Sequence, residues 1–459
     1  MYFADLQRFI THLEDADDLI RIKASVDPYL EAAAIIDQVC KGAAEKRALL
    51  LENVKGSKIP LAANVFGTQK RVAMALGVDN VEQLAKSLRD DLKSCSEMCS
   101  GQALAKISKN SNSESICSDV ASCFAIDMSA EGLDALPALH SWPGDGGRYL
   151  TLGQVFTRHP DGGRQNCGMY RVQVLDKHTA LIRCHPGSGG GSHIAAWHAR
   201  GEAMPVSIVL GGPPILTWCA GVSLPEDVSE IEYANYLSRQ AIAVTECQTS
   251  DLCVPSTAEI VIEGHVLPGE MQQEGPFGNH TGSYIPSSPA PVVRIKSMYT
   301  REDAVYPCTL VGPPPMENMF LAQAVERLSL PLLQHDHPWI VDIHMPLEGI
   351  YHRAALVSVD AAKLPVAEIS TALWQTRMIR NSRLIILLDK DSDLHNIPNV
   401  YWRLINADSW TNSVLIDDNK MVVDARRASQ GLAVRPDQST LNKVMKRWHE
   451  FDLKREELS

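Results

Sequence analysis

The chain reads as a mixed α and β protein of three units, a β-barrel core set between an N-terminal and a C-terminal helix–strand layer. Three observations predict this. A length of 459 residues corresponds to roughly three domains at about 150 residues each. The texture of the apolar segments changes twice, giving units at 1–115, 116–310 and 311–459. A hydrophobic share of 45% with 21% charged residues supplies a core large enough to fold without a disulfide or metal staple.

In the first unit, apolar spacing predicts a helix over 3–15, a strand over Leu19 to Val26, and a helix over Leu30 to Lys46 introduced by Asp27-Pro28. Short buried strands at Leu49 to Leu51 and Leu61 to Val65 precede a helix from Lys70. Between Lys93 and Ser115 the composition turns to Ser, Cys, Asn and Lys with little periodicity, which predicts a linker or loose crossover.

The middle unit has short apolar runs separated by Gly and Pro. They predict strands at Tyr149–Phe156, Gly168–Leu175, Ala180–Arg183, Val206–Leu210, Ile215–Cys219, Glu259–Val266 and Val292–Tyr299, with one helix at Ile231–Ala243. After Glu302 alternation returns: helices over Asn318–Ser329 and Ala367–Ile379, strands over Ala354–Val359 and Leu384–Leu388. No repeat of solenoid period occurs.

Composition excludes several classes. Lys and Arg total 43 against 55 Asp and Glu, a formal charge of −12, with no basic run of the kind nucleic-acid binders carry. The N-terminus MYFADLQRFITHLEDADDLI mixes acids into its apolar positions, unlike a secretory leader. The aliphatic runs are strand-length and too short to span a bilayer. Eleven scattered cysteines without a CxxC pair suit reduced thiols in the cytoplasm, and the Cys95/Cys99 and Cys117/Cys123 clusters are read as thiols rather than metal ligands.

Four segments are candidates for chemistry. Glu274-Gly275-Pro276-Phe277-Gly278-Asn279-His280-Thr281-Gly282 places a carboxylate, a carboxamide and an imidazole on backbone stiffened by Pro and freed by Gly. A tight turn is the ordinary alternative. Asn166-Cys167-Gly168-Met169-Tyr170-Arg171 opens a strand on which Met169 and Arg171 share one face and Tyr170 takes the other. A buried Arg171 needs a carboxylate, and Glu274 is the candidate, whether the pair is structural or catalytic. Gly187-Ser188-Gly189-Gly190-Gly191-Ser192-His193 leads into a helix-like stretch at Ile194–Arg200, which could cradle a phosphate or simply be a flexible loop. It is not a Walker A loop. Asp389, Asp391 and Asp393 open like a calcium loop, but Leu394 and Val400 stand where Gly and Glu are needed, so they are read as a strand-end cap. No Gly-x-Ser-x-Gly or His-Glu-x-x-His motif is present.

Together these segments resemble the UbiD family of aromatic-acid decarboxylases, which use prenylated FMN. The likeness runs through Gly67-Thr68-Gln69-Lys70-Arg71-Val72-Ala73-Met74, Arg164-Gln165-Asn166 to Arg171, Leu210-Gly211-Gly212-Pro213-Pro214, Ser229-Glu230, Ser250-Asp251-Leu252 to Val254-Pro255, Glu259-Ile260-Val261-Ile262-Glu263-Gly264 and Glu274 to Gly278. The resemblance implies a split β-barrel flavin domain between an N-terminal α/β part and a C-terminal α/β oligomerisation domain. It implies Mn²⁺ or Mg²⁺ on Asn166, His193 and Glu230, an oxygen-rich donor set that suits an octahedral ion. Met169, Tyr170, Arg171 and Ser192 would line the flavin, Lys420 would reach its phosphate, and K⁺ would bind nearby. A flavin prenyltransferase would supply the cofactor, and the chain would form a homodimer or larger homo-oligomer.

The resemblance also implies a catalytic network of Arg171 and Glu274 with a second acid, and here Asn279 stands in that acid's place. An amide does not titrate, so electron-rich hydroxybenzoate, pyrrole- or indole-type acids are the expected substrates, with Asn279 bonding a ring N–H or hydroxyl. His280 and His352 are spare proton donors on paper, each also readable as structural. The expected reaction is a non-oxidative decarboxylation, reversible at high CO₂. The alternatives are a polyprenyl-hydroxybenzoate decarboxylase of ubiquinone synthesis, a flavin oxidoreductase on a similar barrel, and a non-catalytic assembly subunit.

Overall fold

A computed structural model describes residues 1–42, 46–110, 115–118, 120–361, 364–406, 413–426 and 436–451. The N-terminal unit builds on a four-stranded sheet of Leu19–Val26, Ala48–Val54, Leu61–Ala63 and, from beyond the barrel, Tyr306–Cys308. The last strand lies in the stretch expected to end the middle unit, so the chain returns to its first sheet before entering the third. The helix Leu6–Asp15 begins where Asp5 accepts from Arg8 N at 2.8 Å and buries Leu6, Phe9, Ile10 and Leu13. The helix expected over Leu30 to Lys46 spans Glu31–Lys41, and residues 43–45 lie outside the described residues.

The stretch expected as a linker holds a short turn of helix at Lys93–Cys95 and a full helix at Ser100–Lys109. Its apolar stripe is narrow, with Ala103 and Leu104 as the buried aliphatics, so Ser and Lys dominate its composition. It is tied down at its start, where Ser100 N and Oγ donate to the Asp336 carboxylate at 2.7 and 2.5 Å. Residues 111–114 lie outside the described residues.

The middle unit is an antiparallel sheet in the order Arg148–Leu150, Val172–Asp176, Thr179–Ile182, Ser288–Thr300, Ala258–Glu274, Met204–Gly211, Gln154–Arg158, Gln165–Met169. Its two ends are joined by Tyr170 and Arg171 alone, because Gln165–Met169 at one end runs directly into Val172–Asp176 near the other. A sheet whose far sides are two residues apart in the chain must curl, which gives the half-barrel. The expected single strand Gly168–Leu175 is therefore broken at this seam. The expected strand Tyr149–Phe156 is likewise two strands, Arg148–Leu150 and Gln154–Arg158.

Ile215–Cys219, expected as a strand, is a helix over Pro214–Cys219 with all six residues buried. A wholly buried run has no polar face to set its period. Gly211 and Gly212, at φ +76° and +88°, turn the chain out of the preceding strand, and Pro214 starts the helix. The helix expected over Ile231–Ala243 spans Glu230–Ser238 and stops at Arg239, whose φ is +55°.

The C-terminal unit has a five-stranded sheet ordered Ile340–His344, Ala354–Val359, Leu384–Asp389, Lys420–Asp424, Val414–Asp417, with the three central strands parallel. The expected helix Ala367–Ile379 spans Val366–Gln375. The long helix Glu317–Asp336 packs against the N-terminal helices Gln69–Ala75 and Val81–Leu92 and against the strand Ile340–His344. Among the described residues no helix is long and apolar enough to cross a membrane. All eleven cysteines are unpaired.

Candidate active site

The site is built at the seam. Arg171 leaves the barrel edge and meets Glu274, the last residue of the strand Ala258–Glu274. Its Nε and Nη2 donate to the two carboxylate oxygens, each at 2.8 Å, and only 1% of the Glu274 side chain is exposed against 17% for Arg171. The guanidinium lies 4.4 Å from the Phe277 ring centroid. Two parallel charge-assisted bonds fix both planes at once.

The loop that follows is clamped. Gly275, at φ +96°, has its N–H held by Gln173 Oε1 at 2.8 Å, and Pro276 O accepts from Gly146 N at 2.7 Å. Asp145 accepts from Gly278 N and Trp142 N at 2.8 and 2.9 Å. Tyr149 donates to Pro276 O at 3.2 Å, and burial followed by the Glu274 charge pushes its hydroxyl above the ordinary tyrosine range. The candidate segment is thus a rigid arm rather than a free turn, with Phe277–Gly278 paired to Tyr284–Ile285.

Asn279 Oδ1 accepts from both Thr281 N, at 2.8 Å, and Thr281 Oγ1, at 2.6 Å. The backbone donor fixes which way the amide faces, leaving Nδ2 as the free end. His280 Nδ1 lies 2.8 Å from Asn318 Nδ2, and burial, then the neighbouring His352, takes His280 down to about 4. His352 is lowered by burial and then by Arg353. Both rings are neutral at pH 7, so neither carries a charged proton there.

On the other side of the seam Tyr170 faces the glycine-rich helix, which spans Gly189–Arg200 rather than starting at Ile194. Gly190 N donates to Tyr170 Oη at 3.1 Å, and a Cβ on Gly190 would stand 2.9 Å from Tyr170 Cε2. A Cβ on Gly189 would overlap Asn166 Oδ1. The glycines are there for close approach. Ser188 caps the helix by accepting from Gly191 N, and Ser192 Oγ donates to Gly189 O at 2.8 Å.

Asn166 sits across from Thr157 in the strand pair Gln154–Arg158 and Gln165–Met169. Thr157 Oγ1 is 2.9 Å from His193 Nδ1, so Thr157 is a shared neighbour of Asn166 and His193. Burial, and then His159, lowers His193 to about 4. The ring is neutral, and when Nδ1 donates to Thr157 its Nε2 lone pair is free to bind a cation. Glu230 Oε2 accepts from Cys167 N at 2.9 Å, and burial pushes its carboxyl up to about 7. Asn166 Nδ2 is buried without a hydrogen-bond partner.

A cavity of about 220 Å³ is lined by Asn166, Met169, Tyr170, Gly189, Glu230 and Arg377. Arg377 was not singled out by sequence. It lies just past the helix Val366–Gln375 and donates to Leu224 O at 3.1 Å, and no local motif marks it. Lys420 does not line this cavity; its Nζ is 5.2 Å from the Trp374 ring centroid, on the C-terminal sheet.

The buried Glu230 carboxylate and the Asn166 carboxamide, in one cavity with a glycine that a single Cβ would fill, suit an oxygen-liganded divalent cation, and the neutral His193 imidazole is reached through Thr157. The half-buried Arg171 paired with buried Glu274 fits acid–base chemistry on an organic anion.

Comparison with known proteins agrees with this geometry. Residues 117–314 match the 3-octaprenyl-4-hydroxybenzoate carboxy-lyase Rift-related domain, 10–89 the N-terminal domain of that family and 319–431 its C-terminal domain. An uncharacterized protein of Archaeoglobus fulgidus is 36% identical over 427 residues, 91% of this chain and 86% of that one. An evolved dimeric form of the UbiD-class enzyme HmfF from Pelotomaculum thermopropionicum, in complex with prFMN, superposes with a TM-score of 0.80 at 25% identity, covering 96% of this chain and 98% of that one. The closed form of Sedimentibacter hydroxybenzoicus vanillic acid decarboxylase superposes at 0.86 and 21% identity, over 98% of this chain and 99% of that one.

Proposed function

The chain belongs to the UbiD carboxy-lyase family, and from that premise we propose that it decarboxylates an electron-rich aromatic acid with prenylated FMN as cofactor. The observation that carries this reading is the buried, bidentate Arg171–Glu274 pair at the barrel seam. Asn166, His193 and Glu230 would hold a Mn²⁺ or Mg²⁺ ion against the cofactor phosphate, with Arg377 as the cation facing it across the cavity.

Loss of CO₂ from an sp² carbon leaves a carbanion in the ring plane that no side chain delocalises, and bound prenylated FMN supplies the electron sink. Arg171 orients the substrate carboxylate while its other face stays on Glu274. Glu274, bonded through both oxygens to the guanidinium, moves the proton at Oε1 or Oε2. The clamps on Gly275, Pro276 and Gly278 keep that carboxylate from drifting, which is what positioning requires. Asn279 contributes a donor only. Both lone pairs of Oδ1 are taken by Thr281, so Nδ2 would bond an acceptor such as a ring hydroxyl oxygen or carboxylate, not a ring N–H. That favours hydroxybenzoate-type acids over pyrrole- and indole-type acids.

The test is to purify the chain from cells that also make prenylated FMN, record its absorption spectrum, and screen aromatic acids for CO₂ release and ring deuterium exchange. Bound flavin with turnover of hydroxylated acids is expected. Absence of both flavin and exchange with every acid overturns the reading.

A further inference from the structure

Away from the seam, three ligand-type side chains from three elements turn toward one point. They are Glu326 on the helix Glu317–Asp336, His344 at the end of the strand Ile340–His344, and His395 in the turn before the helix Ile397–Ile405. One donor atom from each lies within 4.8 Å of the other two. Glu326 Oε2 and His344 Nδ1 are 3.4 Å apart. A tetrahedral ion with bonds of ~2.05 Å has ligand atoms about 3.3 Å apart, so this pair already stands at that spacing.

The donors are also prepared. His344 Nδ1 is buried and makes no hydrogen bond. Glu326 is 3% exposed, and its Oε2 accepts from Met345 N at 2.5 Å, which fixes the carboxylate in the manner of an outer-shell contact. The two imidazoles stand with centroids 4.3 Å apart and planes tilted 50°. His395 is presented by a turn in which its own N–H donates to Asp393 Oδ1 at 3.0 Å, which gives the acidic run Asp389–Asp393 a role other than calcium binding. Of the two cations that line a cavity with His395, Lys70 and Arg327, the latter is engaged by Glu82 at 2.5 Å and Asp342 at 2.6 Å.

We propose that Glu326, His344 and His395 form a tetrahedral site for a divalent cation of the zinc class. Two imidazoles and one carboxylate leave a fourth position for water, on the side where His395 lines a cavity of about 520 Å³ between the helices Gln69–Ala75, Val81–Leu92 and Glu317–Asp336. The ion ties the C-terminal sheet to the long helix and through it to the N-terminal helices. This centre shares no residue with the site at the seam, so either can fail alone.

The experiment uses full-length holoenzyme stripped with a chelator and titrated with Co²⁺. One equivalent should bring up the intense visible bands of tetrahedral cobalt, which an octahedral ion at Asn166, His193 and Glu230 does not give. His344→Gln and His395→Gln should each abolish the bands and weaken binding at least ~100-fold, with flavin absorbance unchanged. His395 is exposed, so its substitution leaves the fold intact, whereas Glu326 is buried. No tetrahedral band, or bands and affinity unchanged in both variants, overturns the proposal and leaves Glu326 and His344 as a plain ion pair.

Discussion

Replacing Glu274 with Gln separates chemistry from scaffolding. The carboxylate is 1% exposed and receives two 2.8 Å bonds from Arg171. In the variant one amide oxygen still accepts, but the amide NH₂ faces a guanidinium N–H, donor against donor, and the buried cation loses its countercharge. Removing one partner of a buried pair costs about 3–5 kcal/mol. Arg171 is 17% exposed and lies on Phe277, which places the loss of stability near the lower bound, ~3 kcal/mol. The catalytic loss is separate: removing a positioned acid–base group lowers turnover about 10²–10⁴-fold. Asn166, His193 and Glu230 are held by other contacts, to Cys167 N and Thr157 among them, so flavin should be retained. The assay pairs CO₂ release with the flavin spectrum of the same preparation. Turnover within tenfold of the parent, or loss of flavin in step with loss of turnover, would refute the assignment of Glu274 to proton movement.

Gly189→Ala drives a methyl group into Asn166 Oδ1, so metal content and flavin occupancy should fall together while the circular dichroism of the fold is kept; full occupancy would show that the cradle is not there for close approach. Arg377→Ala should weaken flavin binding at least ~10-fold and Lys420→Ala much less, because Arg377 lines the cavity and Lys420 sits over Trp374; the reverse order in a flavin titration would return the phosphate to Lys420. Burial pushes Glu317 up to about 7 while Phe66 N donates to its Oε1 at 2.6 Å. Between the unfolded carboxyl value near ~4.5 and about 7 the folded chain holds a proton the unfolded chain lacks, so this group's contribution is full at low pH and fades as pH rises through 7. Glu317→Gln should therefore match the parent at pH 5 and gain up to ~3 kcal/mol at pH 8; denaturant midpoints that shift equally at both pH values would disprove it.

The parts legible in sequence are those where chemistry and local pattern coincide. The glycine run, Arg171 with its carboxylate, and the three-unit texture all announce themselves, because close approach needs glycine and a buried guanidinium needs an acid. Two kinds of feature did not. Pro214–Cys219 is apolar on every side, so its helical period is invisible, and Ser100–Lys109 shows so little apolar surface that it passes for a linker. The other kind depends on which distant segments meet. Arg377, and the convergence of Glu326, His344 and His395, have no local signature. The donor-only state of Asn279 depends on a turn to Thr281 two residues on, which composition alone does not reveal.

Electrostatics bears on the ion proposed at Glu230 in an acidic chain of formal charge −12. Burial pushes three carboxyls, Glu230, Glu259 and Glu317, up to about 7. Glu259 is partly offset by Arg301, and Glu317 by Arg71 as well as the Phe66 N–H. At Glu230 burial is opposed by backbone N–H groups, that of Cys167 first. A buried carboxylate is retained as an anion only with countercharge. All three stand at the same raised value, so the partial countercharge at Glu259 and Glu317 does not undo the cost of burial. Glu230 shares its cavity with the Asn166 carboxamide, Gly189 and Arg377, where a divalent ion would supply countercharge and would hold an anionic ligand against a protein whose net field would otherwise repel it.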